Sequence, residues 1–390
     1  MQKDPAVKQR LSKIIGSINK RNFGEKYMKK IGICTLYYKN RNYGANLQAY
    51  ALQQTIKSLG CDAYLIPYYH GTRSRRILSE LRQRLLFNKV KEIGERNLAV
   101  DKFNAAIPHS RLYYSTTIRA ANKDFDGFIV GSDQVWNPDW INPYMSLEFV
   151  EKSKMTASYA ASIGRTKLND EEKRKVDVAL KNTRHISIRE KESIPALREL
   201  TEKEIEWVLD PTLLLSTEEW NKICTKRIVK DNYIFCYFLG GNENLRNVAT
   251  EYAKKRDLKI VTLPYLNAKY RKVDDGFGNE QLYNVSPEEF LSLVKYSSFV
   301  ITDSFHAAVF SHIYEREFVV AGNKDSEMGC RMESLATLFG TEKRYFCDFS
   351  MLSSEILCNL EDYKMDFDYE KYERMKEKSI EFLKKVIQSV

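Results

Sequence analysis

The chain has 390 residues, of which 43% are hydrophobic, 29% charged and 12% aromatic, a balance that excludes a disordered, collagen-like or coiled-coil protein. Its length suits two or three domains, and 62 Lys and Arg against 52 Asp and Glu give a net charge of +10. No run approaches the roughly 18 apolar residues of a membrane-spanning helix, and MQKDPAVKQRLSKII lacks the apolar core of a secretory signal, so a soluble, cytoplasmic, multi-domain protein is expected.

In chain order, residues 1–30 come first, with nine Lys or Arg against Asp4 and Glu25 and with Val7, Leu11, Ile14, Ile15 and Ile18 at helical spacing. They read as a basic amphipathic N-terminal extension, and Met28-Lys29-Lys30 resembles an ordinary start. An N-terminal lobe is expected over 31–206. IGICTLYY reads as a buried strand, GANLQAYALQQTIKSLG as a helix closed by Gly60, and DAYLIPYY as the next strand. Residues 73–102 carry nine more cations against four acids, with Leu78, Leu81, Leu85, Leu86, Val90 and Ile93 along one helical face. FDGFIVG and MTASYAASIG follow as strands, DEEKRKVDVALKNT as a helix capped near Asn169, and HISIRE as a strand. At WVLDPTLLLSTEEWNK the rhythm breaks, so 207–230 reads as an interlobe linker.

A second lobe over 231–345 restarts the alternation. NYIFCYFLGG is a strand, NENLRNVATEYAKKRD a helix, KIVTLPY a strand, and SPEEFLSLVKYS a helix with Glu at the capping-box position. FVITDS, HAAVFSHIY and RMESLATLFG continue as strand, helix and helix; residues 346–390 form a tail ending in a charged amphipathic helix from Tyr369. Strands alternating with helices indicate mostly parallel sheets covered on both faces. The expected fold is therefore α/β, with two Rossmann-like lobes in a GT-B-like arrangement around an interlobe cleft.

The two basic segments, 1–30 and 73–102, fit either peripheral contact with an anionic membrane surface or an ordinary solvated helix face. Both readings stay open. Nucleic acid is not expected, because no recognition-helix, RNP or finger signature is present. The seven cysteines form no CxxC pair, and Cys34 and Cys236 lie in apolar runs; they read as small buried hydrophobes.

Three strand-to-helix turns concentrate the polar residues. KNRNYGANLQ places Asn42, Tyr43, Gly44 and Asn46 at a helix N-terminus, either as a simple cap or as a ligand site. IVGSDQVWNP gathers Ser132, Asp133, Gln134, Trp136 and Asn137, a mixture suited to sugars, with amides for hydroxyls and an indole for stacking. VITDSFHAAVF sets His306 in the first turn of a helix, where the dipole disfavours the imidazolium and suits proton transfer near neutral pH. No metal site is expected, since His70, His109, His185, His306 and His312 show no ligand spacing. Neither GxGxxG, a Walker lysine nor GxSxG occurs.

The series NYGANLQAYAL, GSDQVWNP, YAASIG, ISIREKES, VLDPTLLL and TDSFHAAVFS resembles the polysaccharide pyruvyl transferase family, in consistent order over about residues 31–340. That resemblance implies a GT-B-like fold and phosphoenolpyruvate as donor substrate, with no further cofactor. The acceptor it implies is a sugar of an exopolysaccharide, capsule or cell-wall glycan, often lipid-linked, which would place the protein at the inner face of the cytoplasmic membrane. By the same resemblance His306 is the general acid/base and Arg189 binds the donor anion. Asp133 is expected to orient or deprotonate the acceptor hydroxyl, with Trp136 as stacking platform and Asn42, Tyr43, Gly44, Asn46, Ser132, Gln134 and Asn137 as further acceptor contacts. Some members carry Arg two residues before the histidine; here that position is Ser304, and Arg331 is the candidate replacement at the donor site. A nucleotide-sugar glycosyltransferase of the same fold is the alternative, with GGNEN as a phosphate cradle. A non-catalytic glycan-binding protein is the third reading.

Overall fold

The structure is a computed structural model that describes residues 28–77, 91–264, 266, 271–322, 329–360 and 367–390. The basic extension over 1–27 and the centre of the second basic segment, 78–90, lie outside the described residues, as does any membrane contact through them.

The first lobe is built on strands β1 (Lys30–Cys34), β2 (Asp62–Leu65), β5 (Gly127–Val130) and β6 (Met155–Ser158), parallel and ordered β2-β1-β5-β6. Bridges from Ala157 to His185 and from Ala161 to Ile188 extend this sheet to β7 (Ile186–Ile188) and β8 (Ile205–Trp207). Two short strands, β3 (Tyr68–Tyr69) and β4 (Tyr113–Tyr114), pair beside it. β1 and β5 are near-continuous apolar runs because helices cover both faces. One of these is α1 (Tyr43–Ser58), which starts where the Asn42 carboxamide accepts the N–H groups of Gly44 and Ala45. Another is α2 (Lys91–Ala106), which leaves the second basic segment. α3 (Asp170–Asn182) opens with a capping box between Asn169 and Glu172, and the short α4 (Ile194–Arg198) follows β7.

The second lobe has six parallel strands in the order β11-β10-β9-β12-β13-β14. They are β9 (Tyr233–Tyr237), β10 (Lys259–Thr262), β11 (Glu280–Gln281), β12 (Phe299–Thr302), β13 (Phe318–Ala321) and β14 (Tyr345–Phe346). Numbered from its own first strand, this is the 3-2-1-4-5-6 order of dinucleotide-binding sheets, in which the order reverses between β9 and β12. The two-residue edge strands β11 and β14 are too short to show a period in the sequence. α6 (Glu243–Arg256), α7 (Pro287–Lys295), α8 (Phe305–Ile313), α9 (Gly329–Phe339) and α10 (Ser354–Leu360) complete this lobe, counted after α5 (Thr217–Asn221) of the connecting segment. α7 has the expected capping box, Ser286 with Glu289.

Two segments do more than the sequence suggests. Residues 207–230, read as a linker, are packed into the core: Trp220 is fully buried, with ring centroids 5.8 Å from Tyr50 of the first lobe and 4.9 Å from Phe310 of the second. The tail helix, α11 (Tyr369–Gln388), returns to the first lobe. Ser379 Oγ accepts the Leu209 N–H at 2.9 Å, and Phe382 meets Tyr159.

The lobes share one apolar core that runs from Ile33 and Leu47 through Tyr43 and Trp220 to Phe290 and Phe310. Tyr43 stacks on Phe290 with centroids 5.1 Å apart, and its hydroxyl donates to the Val285 carbonyl. Buried Arg96 donates across the same junction to the carbonyls of Pro264 and Leu282.

Candidate active site

In open parallel sheets, ligand sites form beyond the carboxyl ends of the strands where the strand order reverses. In the first sheet that point lies between β1 and β5, and in the second between β9 and β12. The three polar turns read from the sequence follow β1, β5 and β12. They face one cavity of about 610 Å³ whose lining includes Asn42, Asp133, Gln134, Trp140, Ser304 and His306.

Short polar links fix the first two turns. Gln48, inside α1, donates to Thr35 Oγ1 at 2.9 Å and accepts the Ser132 N–H at 3.1 Å. The Ser132 hydroxyl is fully buried between the Ala160 carbonyl and Asp210 Oδ2. The third turn is held by Asp303, whose two oxygens accept the N–H groups of Leu239 and Gly240 at 2.6 and 2.7 Å. Burial pushes the Asp303 carboxyl above its ordinary value, and those two N–H groups offset only part of the effect. Asp303 thus takes the Gly240 N–H at the start of GGNEN, the turn that the sequence offers as a phosphate cradle.

His306 occupies the first turn of α8, 6% exposed, behind the Ser304 cap. Its ring lies directly against Gly44 at the start of α1, so a Cβ there would fall inside the imidazole. Glycine at position 44 is therefore a matter of close approach between two helix N-termini. On the other side, His306 Nε2 stands 3.7 Å from Asp210 Oδ2, longer than a hydrogen bond. Nε2 is buried and has no hydrogen-bond partner.

Asp210 is the hub of the site. Its Oδ2 accepts from Arg189 Nη1 at 2.9 Å and from Ser132, and its Oδ1 accepts the N–H and hydroxyl of Thr212. Burial alone would raise this carboxyl, but His306, Arg189 and Thr212 together outweigh burial and hold it well below the carboxylate range. Arg189 Nε also donates to Glu190 at 2.9 Å, Nη2 stands 3.7 Å from Asp133 Oδ1, and the guanidinium covers the Phe305 ring at 4.4 Å. Burial lowers the Arg189 pKa, yet the charges of Glu190, Asp210 and Asp133 win and raise it. One cation therefore faces three carboxylates, a field that favours positive charge on a nearby group.

This geometry corrects several sequence expectations. Arg189, expected at the donor anion, is 4% exposed and bonded to Glu190 and Asp210, while its Nη2 has no hydrogen-bond partner. Trp136 is fully buried in the first lobe's outer core and presents no face to a ligand. Four residues on, Trp140 is 44% exposed and lines the cavity. Tyr43 is spent on the lobe junction. Asn46 is buried, donating to the carbonyls of Asn40 and Asn42 and accepting from Asn104. Asn137 is buried, donating to Gln134 and accepting the Asp139 N–H. Of the residues named from sequence, Asn42, Asp133, Gln134, Ser304 and His306 line the cavity, with Gly44 and Ser132 supporting it. Arg331 falls in the first turn of α9, and its side chain lies outside the described residues.

Asp210 and Glu190 were missed as site residues. The signal for Asp210 was a lone acid in the apolar run WVLDPTLLL, which needs partners once buried. Among the described residues no three His, Cys, Asp or Glu side chains group to hold a metal ion, and no helix is long and apolar enough to cross a membrane.

A profile described as polysaccharide pyruvyl transferase matches residues 42–326, a span that starts at Asn42 in the first turn and contains the other two turns, Arg189 and Asp210. The chain belongs to the polysaccharide pyruvyl transferase family. No curated protein matches the sequence. Among solved structures, the chain is similar to the UDP-GlcNAc 2-epimerase of Methanocaldococcus jannaschii, at 12% identity and a TM-score of 0.52, covering 87% of this chain and 94% of that one. It is also similar to the UDP-GlcNAc 2-epimerase of Neisseria meningitidis, solved bound to UDP-GlcNAc, at 14% identity and 0.52 over 90% and 94% of the two chains. The UDP-N-acetylglucosamine 2-epimerase of Rickettsia bellii gives 10% and 0.53 over 93% and 97%. At such identities the likeness concerns the fold alone, and the fold of this pyruvyl transferase family member is GT-B.

Proposed function

We propose that the protein transfers pyruvate from phosphoenolpyruvate to a sugar of an exopolysaccharide, capsule or cell-wall glycan intermediate, forming a pyruvate ketal. The observation that carries this reading is His306, set at the cleft against Gly44 with the Asp210 carboxylate beside its Nε2.

The reaction needs a proton delivered to the donor's methylene carbon, which leaves an oxocarbenium-like centre for a sugar hydroxyl to attack. Phosphate then departs, and a second hydroxyl closes the ketal. In this reading His306 delivers and recovers the proton, and Asp210 stabilises the imidazolium as it forms. Asp133, at the cleft wall, accepts from the attacking hydroxyl. The excess of carboxylates over cations around Arg189 supports the positive charge that develops at the reacting carbon. The donor's own carboxylate and phosphate need a cation that the described lining of the cleft does not supply, and we assign that role to Arg331. The Asp303 carboxyl, bonded to the N–H groups of Leu239 and Gly240 just after β9, weighs against a nucleotide diphosphate there.

The test is the product mass after incubation with labelled phosphoenolpyruvate and lipid-linked glycans from the protein's own host. A gain of one pyruvate less one water, with phosphate released, is expected, and His306→Ala should slow it by about 100- to 10,000-fold. A hexose-sized gain with nucleotide sugars, and none with phosphoenolpyruvate, would replace this reading with glycosyl transfer.

A further inference from the structure

Trp140 is the most exposed of the four tryptophans: Trp136 and Trp220 are fully buried, and Trp207 is half-buried. It lies on the wall of the cleft that holds Asp133 and His306. Its orientation is fixed from several sides. The indole N–H donates to the Gln134 carbonyl at 2.9 Å, the backbone N–H to Asn137, and the Asn142 carboxamide reaches its carbonyl. The neighbouring turn is pinned by Asp139, which pairs with Arg165 at 2.6 Å. With its only polar atom already bonded, the side chain offers a ligand an apolar ring face held in place. An exposed aromatic of this kind favours flat apolar contact and loses little side-chain entropy when covered.

The rest of the lining says which ligand. Asn40, Asn42, Gln134 and Asn142 contribute four carboxamides, Asp133 a carboxylate and His306 an imidazole, and the described lining holds no Lys or Arg. Asn40 and Asn142 also bond within the wall through both their oxygen and their amino group, and Gln134 accepts from Asn137. Asn42 spends its oxygen on the N–H groups of Gly44 and Ala45, which leaves its amino group as a donor. Carboxamides match hydroxyls as both donors and acceptors, whereas a diphosphate needs cations or a free N–H cradle.

We propose that Trp140 is the platform for the acceptor: a neutral pyranose stacks one C–H face on the indole, with its hydroxyls toward the carboxamides and its reacting hydroxyl pair toward Asp133 and His306. The proposal rests on the pyruvyl transfer reading for the identity of the reaction, and on the cleft alone for the sugar.

The experiment combines kinetics with fluorescence. Trp140→Ala should raise the acceptor KM about 10-fold or more, the scale of losing an aromatic contact face. Its phosphoenolpyruvate KM and its kcat should stay within about 2-fold, and Trp140→Phe should recover most of the loss. In parallel, methyl glycosides of glucose, galactose, mannose and N-acetylglucosamine are titrated against the tryptophan emission. At least one should shift the wild-type emission and leave Trp140→Ala silent. If a glycoside shifts Trp140 but no pyruvate is transferred, the platform stands and the reaction reading falls. If pyruvate is transferred with an unchanged acceptor KM in Trp140→Ala, the platform falls and the reaction stands. A response to uridine 5′-monophosphate but to no glycoside, or no response at all, also overturns the platform.

Discussion

Gly44 and His306 lie on different lobes, and their contact turns a helix position into a test of the active site. Gly to Ala inside a helix normally gains up to about 1 kcal/mol. Here the added methyl collides with the imidazole, so Gly44→Ala should displace His306 and cost far more kcat than stability. Unfolding midpoint and kcat measured on one preparation decide this, and near-normal kcat would place the proton-transfer group elsewhere. Arg189 is the opposite case, since its removal leaves Asp210 and Glu190 buried without their cation. Arg189→Ala should cost about 3–5 kcal/mol in urea unfolding; a loss below 1 kcal/mol would contradict the buried network. Asp210 links the site to pH. Its folded value lies below the ordinary 3.8, so the stability it contributes is present above about pH 4 and is lost as the pH falls further. The acid limb of the unfolding midpoint should therefore be shallower in Asp210→Asn than in the wild type.

At the level of elements, the tail helix α11 packs on both lobes, with Tyr372 against Phe339 of the second and Phe382 against Tyr159 of the first. Leu383, Phe382 and Val386 are buried, and Ser379 bonds the chain just before Asp210. The helix thus braces the segment that carries Asp210. Leu383→Ala should destabilise by about 2–5 kcal/mol, the range for emptying a core leucine site, measured by denaturant unfolding. A change under 1 kcal/mol would mean the helix is dispensable packing.

For the whole molecule, the shared core governs how the lobes behave. Tyr43 on Phe290, Trp220 between Tyr50 and Phe310, and Arg96 on two carbonyls tie the lobes together through buried contacts. Unfolding one lobe would expose the other's core, so heating should give a single calorimetric transition with matching van't Hoff and calorimetric enthalpies. Two separated transitions would show that the junction is weak.

The strand–helix rhythm, the caps at Asn42, Asn169 and Ser286, and the three polar turns were legible in the sequence because each is a local pattern of a few residues. So was the family, through the order of those turns. Burial is different, because it depends on what packs over a turn. Trp136 and Trp140 share one turn and one chemistry, yet the first is sealed in the core and the second faces the cleft. The resemblance that points to Arg189 as a donor ligand says nothing of Asp210, which reaches it from 21 residues further along the chain. Asp210 looked like part of a linker because its partners Ser132, Arg189 and His306 come from separate stretches of the chain. Backbone preference and periodicity act over short range, which is why the elements and the polar turns can be read without the fold. Which of those side chains neutralise one another and which stay open to a ligand follows from the fold, because charge pairing and solvent exclusion arise between residues far apart in the chain that meet only when it is folded.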